Sequence, residues 1–387
     1  VALARESLRR IGAAKPDRHV LVVANFQATR PQSWGPMANV LVSRRPLTDQ
    51  DIEKAEAAAA AMGFTVLVKP GMAADKYFAA VVTGRGLVPL QSESRFNLAA
   101  PTDDSPFFFN MIRISDWFIA RHGAGGEERE WALTNPNVQA VSVVINLLGV
   151  LLALTLVTLL VPLRRFAATE GNRSTVPQLL FFTSIGFGFM LLEVSQMQRL
   201  TIFLGHPVYG ITVILFVLLS AAGAGSRLVS AVRDEALGRT GMGLMAGLLV
   251  VVAVYGVVVP PILRACVSLS TPMRISIAAL ALAPLGLGLG MPFALGMRVA
   301  QRSVPRLTPW LWGVNGAASV SGSVLAVVVA LGAGITASYW LGAIFYLIAL
   351  VSYQYRLSTD LRAAVIGSDA DRAVPYSVGS LTTSVFR

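Results

Sequence analysis

The sequence predicts a mainly α-helical membrane protein, a polytopic bundle of about seven spans preceded by the C-terminal part of an α/β domain. Three observations carry this. Of 387 residues, 54% are apolar and 14% are charged, against roughly a quarter charged in an ordinary soluble domain. Seven apolar stretches each approach the ~20 residues that a helical span requires. The first hundred residues instead alternate short β-type runs with a capped helical segment. The net charge of +11 is unevenly placed. Residues 1–137 hold 16 Lys+Arg against 14 Asp+Glu, whereas every cation beyond them is an arginine, most of them near span ends. That distribution favours a membrane-topology signal over a duplex-binding face, so no nucleic-acid partner is expected. The single cysteine, Cys266, excludes an internal disulfide and a paired-cysteine zinc site.

The chain opens on Val1 inside a helix-like pattern, VALARESLRRIG, which reads as the continuation of a longer protein. HVLVVAN (19–25) and ANVLVS (38–43) read as two strands of a hairpin around the loop RPQSWGP. Thr48 is placed to cap a helix running to about Met62, with Asp51 at the third helical position and Gly63 as the stop. FTVLVK (64–69) is a third strand ending at Pro70-Gly71. The expected organisation is a partial α/β domain over 1–100 and a linker over 101–137. The membrane domain follows over 138–356, then a polar, poorly ordered tail over 357–387.

Within the linker, PTDDSPFFFN sets two adjacent carboxylates beside three phenylalanines. It reads as a capped turn with packing aromatics. The alternative makes Asp103 or Asp104 a ligand for a cationic amine, or a clamp onto an arginine at the membrane face.

The spans are expected near 138–162, 177–198, 208–226, 241–262, 275–297, 310–332 and 337–355. Trp310 and Trp312, Tyr339 and Trp340, and Tyr353 and Tyr355 sit at span ends, as interfacial aromatics do. Eleven arginines cluster at one set of ends and five at the other, so the richer side is expected to be cytoplasmic. Seven spans then place residues 1–137 on the opposite side. Gly286 and Gly290, one turn apart in an apolar span, read as a close-packing face rather than a phosphate loop. Gly316, Ser319, Gly322, Ser323 and Ala326 form a similar stripe in the sixth span, and Pro284 and Pro292 predict a kinked or broken fifth.

Ionisable residues inside spans are costly in hydrocarbon and point to function. Glu193 is the clear case. Counted from Pro177, it lies about 24 Å into its helix, near the far interface of the expected span. Gln196 shares its face and Arg199 follows one turn later. His206 precedes Pro207 in the next connection, and Asn315 is an amide early in the sixth span. Glu193, Gln196, Arg199, His206 and Asn315 form a candidate polar site, with a pocket from spans 2 and 3 better supported than one that includes span 6. His19, His122 and His206 show no metal-ligand spacing, and no HExxH, Walker A or GxSxG string occurs.

The stretch FMLLEVSQMQRLTIFLGHPVYGITVILFVLLSAAGAGSRL from Phe189 resembles bacterial multi-spanning proteins of the spermidine-synthase-like family, some described as fused transporter/spermidine synthases. GMPFALGMR (290–298), WGVNGAASVSGSVLA (312–326), TDDSPFFF and VLVSRRPLTDQDIEKAEAAAAAMGFTVLVKPG extend the resemblance over nearly all of residues 1–355. It implies that Glu193, Gln196, Arg199, Gly205, Asn315 and Gly316 are motif positions. It also implies that residues 1–100 are the end of a Rossmann-like aminopropyltransferase- or methyltransferase-type domain. In such a domain an S-adenosyl-type donor sits on a glycine-rich turn, and a catalytic Asp lies in the central part. Neither feature is present in this chain, where Gly84-Arg85-Gly86 follows a helix-like stretch, so no cofactor is expected in it. Three functions remain open: the membrane portion of a polyamine aminopropyltransferase-like enzyme, a transporter or sensor of a small cation such as a polyamine, and a structural anchor. A lipid bilayer of the bacterial inner-membrane type, an upstream portion of the same protein and a polyamine are the expected partners.

Overall fold

The computed structural model describes residues 1–25, 37–94, 97–107, 111–114, 117, 135–170 and 172–372, with backbone alone for 37, 166–170, 172–174 and 356–372. The hairpin loop 30–36, Phe108 to Asn110, Arg121, His122, Arg129 and the last part of the expected tail, 373–387, lie outside the described residues. Two compact units divide between Val143 and Val144.

The first unit holds α1 (Ala2–Arg10), β1 (Val20–Asn25), β2 (Met37–Val42), α2 (Asp49–Ala61), β3 (Thr65–Lys69), β4 (Met72–Ala73), α3 (Lys76–Thr83) and α4 (Leu87–Glu93). Its sheet is antiparallel throughout, in the order β2-β1-β3-β4. A parallel, doubly wound Rossmann-like sheet is not among the described elements. β1 is apolar at consecutive positions because both of its faces are covered. Val20 and Val22 pack with Leu8 of α1 and Val82 of α3, whereas Leu21 and Val23 pack with Ala59 of α2. α2 starts where the sequence places it. Asp51 N–H donates to Thr48 Oγ1 at 3.2 Å, and the Thr48 N–H returns a bond to the Asp51 carboxylate at 3.0 Å, closing a capping box. Pro70-Gly71 does not simply end β3. It turns the chain into β4, pairing Lys69 with Met72, and the φ of +80° at Gly71 is the reason a glycine is needed there.

The second unit is a helical membrane bundle, and among the described residues seven helices are long and apolar enough to cross a membrane. They are α5 (Pro136–Glu170), α6 (Asn172–Leu204), α7 (Pro207–Ser230), α8 (Leu237–Ala265), the pair α9 (Thr271–Leu289) and α10 (Met291–Ser303), α11 (Thr308–Ala333) and α12 (Ile335–Arg372). Each expected span coincides with one of them, and the fifth is divided at Gly290. α12 runs on to Arg372, so helical backbone extends into the segment expected as a polar tail. The segment after Arg356 carries no proline before Pro375, and good helix formers such as Leu361, Arg362, Ala363 and Ala364 stand among its polar residues.

Packing between the helices has a definite order. α6 contacts α7, α7 contacts α9, α9 contacts α8, α8 contacts α12, and α12 returns to α6, closing a five-helix ring. α11 lies against α6 and α12. Thr155 of α5 donates to Ala317 O of α11 at 3.1 Å and pairs with the Ser321 hydroxyl at 2.7 Å. α6 is the most enclosed span, with 72% of its most apolar window buried against 11% for α5. Lipid tails are as apolar as leucine, so close van der Waals fit holds such helices together. Gly286 abuts Leu218 and Ala221 of α7, and Gly290 abuts Ala222, as a close-packing face requires. Gly322 of the second stripe meets Phe187 of α6, whereas Gly316 faces open space.

Candidate functional site

Glu193, Gln196 and Arg199 descend one face of α6. The span extends from Thr175 to Leu204, six residues past its expected end. At ~1.5 Å per residue this leaves Glu193 roughly 5 Å from the midpoint of that helix, nearer its middle than the count over 177–198 gives. Glu193 is 7% exposed and Gln196 is fully buried.

The facing wall is α12. Gly188 and Gly342 let the two helices meet: a Cβ on Gly188 would stand 2.9 Å from the Tyr346 ring, and one on Gly342 would stand 3.0 Å from Leu192. Next to Gly188 and Tyr346 in the chain, Phe187 and Phe345 stack with centroids 5.0 Å apart. Toward the α6 C-terminus, Arg199 Nη2 donates to Thr336 Oγ1 at 3.3 Å, and its guanidinium carbon lies 5.7 Å from the Tyr339 ring centroid. Glu193 is within electrostatic reach of the Tyr346 phenol. Gln196 therefore lies between two fixed contacts, Leu192–Gly342 and Arg199–Thr336, in the interval of α12 that also holds Ser338.

α8 supplies the third wall. The Tyr339 hydroxyl donates to Val252 O at 2.7 Å, and Gly256 makes room for its ring. Tyr255 stacks on Tyr339, with centroids 6.1 Å apart and planes at 22°. Arg199 is within electrostatic reach of both phenols. Four atoms in this cluster are buried with no hydrogen-bond partner: Gln196 Nε2, Gln196 Oε1, the Ser338 hydroxyl and the Tyr255 hydroxyl. An unsatisfied buried polar group costs ~1–3 kcal/mol, so each of these groups calls for an explanation.

Two members of the expected pocket fall elsewhere. Asn315 Nδ2 donates to Phe182 O at 3.0 Å, and Phe182 lies eleven residues, ~16 Å, before Glu193 along α6. Its amide is spent on joining α11 to α6. His206 is the N-cap of α7, its Nδ1 accepting from Val208 N–H at 3.3 Å, and it is exposed beside Tyr209. Neighbours of the α6 face include Thr336, Tyr339 and Tyr346 of α12 and Tyr255 of α8, reached by Arg199 and Glu193. In the first unit Asp103 and Asp104 are exposed in a turn closed by the Thr102–Ser105 pair. Among the described residues no cluster of His, Cys, Asp or Glu has metal-binding form.

Sequence reasoning overlooked Tyr255, Ser338 and Tyr346, and placed Tyr339 and Tyr353 at the interface. Both are buried, with the Tyr353 hydroxyl donating to Leu237 O at 2.8 Å. The signal was present: Tyr339, Tyr346 and Tyr353 repeat every seven residues, which puts three phenols on one helix face. Trp312, at 60% exposed, and Tyr355, at 51%, are outward as expected.

Among the described residues of the first unit, the glycine string nearest to what an S-adenosyl-type donor would need is not in a donor-binding position. Gly84-Arg85-Gly86 joins the C-terminus of α3 to the N-terminus of α4, where a donor-binding turn follows a strand. A groove of about 300 Å³ between α2 and the sheet is lined by apolar residues such as Val23, Leu41, Ala58 and Met62, with Asn39 its one polar member. Compared with protein-family models, curated proteins and solved structures, the chain finds no match in any of the three.

Proposed function

We propose that the membrane unit binds and translocates a small amine cation, with the Glu193 carboxyl as its counter-charge. The observation that carries this is a carboxyl near the middle of the most enclosed span, next to a buried amide with neither of its ends bonded. Intramembrane ionisable groups are expensive and mark ion or solute pathways. The phenols of Tyr339, Tyr346 and Tyr255 suit an ammonium group, because aromatic faces attract cations. The sequence resemblance names the polyamines as the class of amine and the spermidine-synthase-like membrane proteins as the family. On this reading the chain resides in a bacterial cytoplasmic membrane, its arginine-rich span ends inside, and the α/β unit is an accessory lobe. The experiment is uptake of radiolabelled putrescine into proteoliposomes holding the full chain. Wild-type protein should show saturable flux and Glu193→Gln should abolish it. Undiminished flux in Glu193→Gln sinks the reading.

A further inference from the structure

The groups beyond Glu193 are of the wrong kind for a bare polyamine. A polyamine carries only cationic donors and wants carboxylates, carbonyls and ring faces. Beyond Glu193 toward the α6 C-terminus the site instead offers an amide N–H2 at Gln196 and a guanidinium at Arg199, with hydroxyls at Ser338 of α12 and Tyr255 of α8. The amide and the two hydroxyls have no partner in the protein. Arg199 is always cationic and presents donors in a planar fork suited to a carboxylate. The carboxyl and the donor group are separated along α6 by about 4.5 Å from Glu193 to Gln196 and about 9 Å from Glu193 to Arg199. Amino acids hold their charges over that span once side-chain reach is allowed for.

We infer that the solute of this site is an amino-acid zwitterion, its ammonium group on Glu193 and its carboxylate on the Arg199, Gln196, Ser338 and Tyr255 donors. This rests on the amine-binding reading of Glu193 and narrows it. It gives the four orphaned atoms a role: two hydroxyl donors and one amide donor engage the carboxylate, and Gln196 Oε1 is left as an acceptor for the α-ammonium.

Ornithine and putrescine test this directly, since they differ only by one carboxylate. Binding of each to the purified full chain in lipid nanodiscs is measured by calorimetry, for wild type, Glu193→Gln and Arg199→Gln. Wild type should prefer ornithine by about tenfold or more, the scale of a charge-assisted bond. Arg199→Gln should erase that preference and leave putrescine nearly unchanged, and Glu193→Gln should weaken both ligands. Ser338→Ala and Tyr255→Phe remove hydroxyls that bond nothing in the protein, so they should fold normally yet each lower ornithine affinity severalfold. Equal binding of the two ligands, untouched by Arg199→Gln, Ser338→Ala and Tyr255→Phe, overturns the zwitterion and leaves the amine reading intact. Ornithine binding that depends on Arg199 but not on Glu193 overturns the amine reading. No binding of either ligand to wild type overturns both.

Discussion

The Arg199 guanidinium carbon stands 5.7 Å from the centre of the Tyr339 ring, and that ring is itself anchored to a third helix through its hydroxyl bond to Val252 O. The cation is therefore held by α12, and α12 is held at this level by α8. Tyr339→Phe keeps the ring and loses the anchor. Its expected cost is about 1 kcal/mol of stability, the net worth of one such bond, with solute binding retained. Tyr339→Leu loses the ring as well, removing a further ~0.5–2 kcal/mol of cation–π attraction, and should impair binding. Thermal unfolding in detergent micelles and ligand titration check this pair. Equal behaviour of the two variants in both assays rules out a positioning role for the ring.

Two glycines two residues apart on α7 should answer oppositely to the same added methyl. A Cβ on Gly225 would run into the Leu287 backbone carbonyl of α9, and a backbone cannot step aside as a flexible side chain can. Gly223 has nothing within 4 Å. Gly225→Ala should cost ~1–3 kcal/mol, the usual range for overpacking. Gly223→Ala should be neutral or slightly stabilising, in line with alanine's better helix propensity. Comparing unfolding midpoints of the two variants decides it, and similar destabilisation by both removes the α7–α9 backbone contact as the cause.

Asn315 supports the site from outside it. Its bond to Phe182 O joins α11 to α6 well away from Glu193. Asn315→Ala should cost about 0.6 kcal/mol, typical of a hydrogen bond between membrane helices, and leave amine flux at the wild-type level. Abolished flux with normal stability would return Asn315 to the pocket that the sequence first drew.

Local signals transferred well from sequence to structure, and signals that depend on neighbours did not. The Thr48–Asp51 box, the Pro70-Gly71 turn and the span positions all rest on residues close in the chain, so spacing and propensity sufficed. Glu193, Gln196 and Arg199 were visible as one face of one helix. Which helix faces them was not, because that depends on how glycines at 188 and 342 pair across more than a hundred and fifty residues. Tyr339 shows the limit most clearly. Aromatic residues at a span end are usually interfacial, and only the ring of packed helices, with Gly256 opposite, turns this one inward. Asn315 and His206 were read as polar and therefore available. Each has instead satisfied a backbone group nearby, one a carbonyl and the other a helix N-terminus.

The capping box of α2 makes a prediction about acid. Thr48 bonds Asp51 through its hydroxyl at 2.7 Å and through its N–H at 3.0 Å. The hydroxyl bond first and the N–H bond second hold the Asp51 carboxyl below its ordinary value of 3.8, with a smaller contribution from the Lys54 charge. A carboxyl whose folded pKa is depressed binds a proton more readily once the helix start unravels. Its contribution to the helix is therefore complete above pH 3.8 and fades as pH falls through the folded value beneath it. Hydrogen–deuterium exchange of the α2 peptides in the full chain, corrected for intrinsic rates, should show protection at pH 7 that weakens near pH 3 in wild type. Asp51→Asn keeps an acceptor oxygen and cannot titrate, so its α2 protection should be lower at pH 7 and no longer respond to acid. The same acid response in both proteins would assign it to other groups of the unit and remove the box as its source.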